Sequence, residues 1–101
     1  MKPLKLELVN ALQKAIANPK TFEVPTLKEL RQLKPGDHVK ICVEQDGKGG
    51  ERFWCKIRSI DPKAKTIIGE VDNILVVYDF ELGTPIEINF DEVYDLITKP
   101  Y

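Results

Sequence analysis

The side chains that could act as nucleophile or base here are one histidine (His38), one serine (Ser59) and two cysteines (Cys42 and Cys55). A Ser–His or Cys–His pair needs its members within about 3 Å of each other. The strand pattern keeps them apart. His38–Glu44 puts Val39, Ile41 and Val43 on one face, and Arg52–Ile60 puts Phe53, Cys55 and Ile57 on one face. Opposed residues of an antiparallel pair share a face. The shortest loop that brings these two sets together sets Val43 against Phe53, Ile41 against Cys55 and Val39 against Ile57, with Gly47-Lys48-Gly49 as the turn. In that register Cys55 and Ser59 point inward while His38 and Cys42 point outward. At ~3.3 Å per residue His38 and Cys42 stand about 13 Å apart. Neither dyad forms, the cysteines do not bridge within the hairpin, and no zinc or iron ligand set assembles. Gly47-Lys48-Gly49-Gly50 lies in a hairpin and lacks the spacing of a phosphate-binding loop. The expectation is a protein with no metal, no cofactor and no enzymatic activity.

Carboxylates are the remaining reactive groups. Asp91, Glu92 and Asp95 cluster near the C-terminus, with Asp91 and Asp95 on one face of a predicted helical turn through Val93, Tyr94, Leu96 and Ile97. Paired carboxylates can do acid–base work when burial shifts one of them. Here they read as groups that cap and solvate a helix end.

The outer face of the first hairpin is the other chemical surface. The same register places Lys40 opposite Lys56 and His38 opposite Arg58, with Trp54 beside Cys42. Like charges directly opposite destabilise a pair, so a third strand, 66–71, is expected to place Glu70 opposite Lys56 and Asp72 near Trp54 as a charge ladder. The alternative is a binding face of Lys40, Trp54, Lys56 and Arg58 for an anionic partner. A pI near 5.8 and a single tryptophan argue against nucleic acid. Trp54, Cys42, Ile60 and Ile68 form an apolar strip there, which the N-terminal helix is expected to cover; a partner is the alternative cover.

These side chains are positioned by a predicted single domain over residues 1–101. Leu4, Leu8, Val9, Leu12, Ala15 and Ile16 fall at helical spacing, so an amphipathic helix is expected within residues 1–18, ended by Asn18-Pro19. Thr26-Leu27-Lys28-Glu29 matches a capping box and opens a short helix over 26–33. From 38 to 97 the chain reads as a β domain. Strands are expected at 38–44, 52–60, 66–71, 74–79 and 85–90, and a helical turn follows Asp91. The predicted fold is α+β and mostly β: a small bent antiparallel sheet, or half-open SH3-like barrel, of about five strands with an N-terminal helix.

Charge is distributed unevenly along the chain. Residues 1–68 carry fourteen Lys/Arg against eight Asp/Glu, and residues 69–101 carry one against eight. Either the fold interleaves the two parts, or Glu87, Asp91, Glu92 and Asp95 form an acidic surface for a basic partner. The longest apolar run, Ile74 to Tyr78, is too short to span a bilayer, and the first residues lack the apolar core of a secretory signal. Two cysteines without metal-type spacing fit a reducing compartment, so a cytoplasmic location is expected.

Glu51-Arg52-Phe53-Trp54-Cys55-Lys56-Ile57, then Gly69-Glu70-Val71-Asp72-Asn73 and the Gly83 turn before Ile86-Glu87-Ile88-Asn89-Phe90, resemble a family of small bacterial domains of unknown function. Leu33-Lys34-Pro35-Gly36-Asp37 fits the same pattern, and the likeness covers roughly residues 33–95. The chain departs from it with Ile74-Leu75, where members often continue with Asp/Glu-Pro, and with Tyr94, where members often carry tryptophan. The resemblance implies a compact β module without established catalysis. Some relatives sit beside toxin–immunity or repeat-containing proteins. Together these readings point to a binding or regulatory module with a protein partner. An immunity-type inhibitor acting through the acidic surface and a weak nucleic-acid binder are the alternatives.

Overall fold

The computed structural model describes residues 2–21, 23–44, 47, 49–75 and 77–98. Its elements are α1 (Ala11–Ala17), α2 (Leu27–Arg31), β1 (His38–Glu44), β2 (Gly50–Asp61), β3 (Thr66–Val71), β4 (Pro85–Asn89), a 3-10 turn (Phe90–Glu92) and β5 (Asp95–Ile97). The five strands form one antiparallel sheet in the order β4-β3-β2-β1-β5. The α+β, mostly β class is as expected, and the sheet is not closed into a true barrel.

Parity is right in the first hairpin and register is not. Val39 faces Cys55, Ile41 faces Phe53 and Val43 faces Glu51, a shift of two residues from the shortest-loop pairing. A shift of two preserves faces, so Val39, Ile41, Val43, Phe53, Cys55 and Ile57 still line the core. Hydrophobic alternation cannot detect such a slip; the turn decides it. Gly47 and Gly49 both hold left-handed φ values, +67° and +83°, and support a longer loop.

Beyond Ile57 parity itself fails. A bulge sets Ser59 against Ile68 where regular pairing would require Arg58. Ser59 is therefore exposed instead of inward, and Ile60 turns to pack against the core. Further along the sheet, Gly69 lies under a close approach: a Cβ there would meet the Cys55 Cβ at 2.9 Å and the Ile88 Cδ1 at 3.0 Å.

The helix predicted within 1–18 begins only at Ala11, where the Asn10 side chain accepts from the Gln13 N–H at 2.9 Å. Leu4-Lys5-Leu6-Glu7-Leu8 also alternates with period two, and the extended reading wins because sheet edges lie within reach. Leu4 bridges Ile86 of β4, and Leu8 bridges Val43 of β1. One extended segment thus touches both sides of the sheet. The second helix is as predicted, with both halves of the Thr26/Glu29 capping box made.

Two C-terminal expectations fail. Of the strand expected at 74–79, residues 74, 75 and 77–79 are not in a strand but in an irregular loop, and Val76 lies outside the described residues. The predicted helical turn through 93–97 is replaced by the 3-10 turn and β5, which pairs with His38–Lys40.

Candidate functional site

On the sheet face, Lys40 lies opposite Trp54, not Lys56, and His38 lies opposite Lys56, not Arg58. The two-residue shift thereby removes the like-charge pair. The Lys40 ammonium sits 5.7 Å from the Trp54 ring centroid, within cation–π range. Glu70 lies opposite Lys56 as expected, yet its carboxylate binds Arg58 at 2.8 Å. Asp72 binds His38 Nε2 at 2.7 Å. Of the four proposed binding residues, Lys56 alone makes no ion pair or ring contact among the described residues.

Trp54 is half-buried and belongs to neither apolar cluster of the protein. The expected apolar strip does not exist: Cys42 is buried with Ala11 and Tyr94, and Ile60 joins the core. The start of α1 therefore covers Cys42. Arg52, opposite Cys42, stacks over the Tyr94 ring with its guanidinium carbon 4.9 Å from the centroid. Burial pushes the Tyr94 phenol up.

The four acidic residues do not form one surface. Glu87 pairs with Lys5 at 3.5 Å. Glu92 turns back to accept the Asn89 N–H at 2.8 Å, and burial raises its carboxyl above the ordinary value. Asp95 lies across from Lys40 on β5, so it shares no helical face with Asp91, which is exposed beside the 3-10 turn. Of the four, Glu87 alone makes an ion pair with the basic part of the chain among the described residues.

Both cysteines are free and buried, and burial, with the charge of Asp72 adding, pushes the Cys55 thiol up to about 12. Such a thiol is not a nucleophile at neutral pH. Among the described residues, no three His, Cys, Asp or Glu side chains are grouped to hold a metal ion, and no helix is long and apolar enough to cross a membrane.

The loop from Asp72 to Thr84 is a feature that sequence reading assigned wrongly. Its neck is closed by the Val71 N–H donating to the Thr84 carbonyl at 3.0 Å and the Gly83 N–H donating to the Val71 carbonyl at 2.8 Å. The Asp72 N–H donates to the Trp54 carbonyl at 3.0 Å, and the Asn73 side-chain oxygen accepts the Trp54 N–H. In its middle the Glu51 carboxylate accepts the Val77 and Tyr78 N–H groups at 2.8 and 3.1 Å. Tyr78 is 5% exposed, its ring parallel to Phe80, and both pack with Leu75 on the core. The other apolar residues described in the loop face out: Ile74 is 88% exposed, Leu82 62% and Val77 42%. Around them stand Asp72, Asp79 and Glu81, with no Lys or Arg in the loop. The clue in the sequence was an apolar run without alternation, in a segment of acids ending in a glycine turn.

A second feature also went unread. An apolar cleft of about 190 Å³ is lined by Leu12, Leu27, Leu30, Phe90 and Val93, among others, with Lys65 and Asp91 on its walls. Leu30, Phe90 and Val93 belong to the core, so the floor of the cleft is the core itself. Leu12 and Leu27 on the rim are 41% and 42% exposed. Lys65 is held there at φ +58° while its carbonyl accepts the Phe90 N–H at 3.0 Å.

Comparison of the chain with protein-family models, curated proteins and solved structures finds no match.

Proposed function

We propose that this chain is a non-enzymatic protein-binding module whose recognition element is the 72–84 loop, and whose partner offers an apolar pocket within a basic surface. The observation that carries this reading is the division of the loop's apolar residues. Leu75, Tyr78 and Phe80 anchor it, while Ile74 and Leu82 stand in solvent on a backbone tied down from β2. A rigid loop with apolar tips keeps the entropic cost of binding low, and exposed apolar groups of this kind mark interaction sites. Asp79 and Glu81 beside the tips make no ion pair among the described residues, so they are available to steer a basic partner. Free, buried cysteines support a cytoplasmic setting.

An immunity-type inhibitor is a special case of the same reading, with the acidic loop replacing residues 87–95 as the occluding surface. The resemblance to bacterial domains found beside toxin–immunity proteins supports it. The sheet face is a weaker candidate, since Arg58 and His38 are engaged by Glu70 and Asp72.

The test is affinity purification from cells of the source organism with four chains: wild type, Ile74→Asp, Leu82→Asp, and the double variant Lys40→Glu/Lys56→Glu. A partner held by the loop is lost from the two loop variants and kept by the sheet-face variant. Loss from the sheet-face variant alone would overturn the proposal.

A further inference from the structure

Residues 2–17 lie on the rest of the protein as an arm whose start joins two open edges of the sheet. On β4 the Leu4 N–H donates to the Pro85 carbonyl and the Glu87 N–H to the Leu4 carbonyl, both at 2.9 Å. On β1 the Val9 N–H donates to the Cys42 carbonyl at 2.9 Å and the Glu44 N–H to the Glu7 carbonyl at 3.0 Å. Lys5 pairs with Glu87, while Leu6 and Leu8 pack against the core half-buried. The hold is shallow. Of residues 2–17 Ala11 alone is buried, and Leu12 and Ile16 are 41% and 71% exposed. Segments with so little burial open at a lower free energy than the whole domain.

Without the arm, β4 and the second half of β1 are unpaired edges, because β5 covers only His38–Lys40. Such edges take up another strand. The structure shows which strand fits them: one with Leu6 and Leu8 on the core and Lys5 beside Glu87. The connector after α1 lets that strand come from a neighbour. Residues 18–21 and 23 are exposed, and Pro19 and Pro25 keep the residues before them out of the helical conformation. Fully extended, residues 18–25 reach about 27 Å, more than the smallest molecular extent of 24 Å. We infer that the arm is exchangeable and that the seat it leaves is filled by residues 2–17 of a second copy of this chain. The exchange is reciprocal, so each contact of the arm is remade and the dimer closes on a two-fold axis. A short tether gives the arm an effective concentration of about 1 mM within its own chain, so dimers populate as the protein approaches that concentration. The inference does not depend on the loop being the recognition element.

Cysteines placed at positions 5 and 87 test it. Leu4 and Ile86 are bridged in parallel and the next side chains, Lys5 and Glu87, meet at 3.5 Å, so thiols there fall within disulfide reach. In the double variant Lys5→Cys/Glu87→Cys, oxidation at about 1 µM closes the bond within one chain. Separate chains carrying Lys5→Cys and Glu87→Cys are mixed and equilibrated at about 1 mM before oxidation. A covalent heterodimer is expected on a non-reducing denaturing gel. It exceeds the homodimers that either chain forms alone and fades when the mixture is equilibrated more dilute. Sedimentation velocity of the wild type is expected to show monomer and dimer and nothing larger. A heterodimer no more abundant than the homodimers, while the double variant closes within itself, overturns the inference, because the arm then stays on its own chain. A double variant that fails to close also overturns it, since the arm is then not seated on β4. Species larger than a dimer overturn reciprocal exchange.

Discussion

The Tyr78 hydroxyl donates to the Gly49 carbonyl at 2.6 Å, tying the middle of the 72–84 loop to the turn that opens β2. With the Glu51 carboxylate, it holds the loop from outside the loop's own sequence. Irregular segments with few such ties exchange and open first.

Glu51→Ala is expected to release the Val77 and Tyr78 amides, which then exchange faster with deuterium. Charge-assisted hydrogen bonds of this kind contribute about 1.5–3 kcal/mol, so overall stability falls by a similar amount. Unchanged exchange at both amides would mean the carboxylate does not hold the loop.

Gly69→Ala is expected to destabilise the protein by about 1–3 kcal/mol, since the added methyl group meets a Cβ and a methyl that are both buried. Thermal unfolding measures it; roughly 4–8 °C of melting temperature accompanies each kcal/mol in a domain of this size. Gly69→Ala combined with Cys55→Ala keeps the clash with the Cys55 Cβ, so the partner substitution is not expected to restore full stability.

Ala11 is fully buried against Cys42 and Tyr94. Ala11→Glu therefore lifts the start of α1 and opens Cys42 to a disulfide-exchange reagent, while Cys55 stays unreactive. Trp54 emission is expected to hold its wavelength, because Trp54 lies outside that cluster. A red shift without gain in Cys42 reactivity would show that the helix covers Trp54 after all.

The folded Cys55 thiol titrates at about 12, against an ordinary value of 9.0. The folded chain thus keeps a proton that the unfolded chain loses, and stability falls as pH rises between these values. The contribution is whole below about pH 9. Urea midpoints at about pH 8 and about pH 10.5 are expected to differ less in Cys55→Ala than in wild type.

The sequence carried the faces of the sheet better than its registers. Val39, Ile41 and Val43 alternate, so their core face was legible, and Thr26/Glu29 announced their cap. Period two is blind to a two-residue slip, however, and that slip decided whether Lys40 met Lys56 or Trp54. It is also blind to a bulge, which turned Ser59 outward. Leu4 and Leu8 satisfied two periodicities at once, and only the presence of β4 and β1 beside them selected one. The candidate sites were least legible. Exposure of Ile74 depends on which neighbours face inward, and the cleft gathers residues from four distant segments.

The segment that runs from Leu4 to Leu8 has a consequence for how the protein is made. Leu4 is synthesised long before its partner Ile86, so its pairing waits until β4 has left the ribosome. Contacts of such sequence separation are slow to form, and they expose the unpaired edges of β1 and β4 in the meantime. A bulky tag fused ahead of Lys2 is therefore expected to slow refolding more than the same tag placed after Thr98, since it must be carried along while the last seam closes.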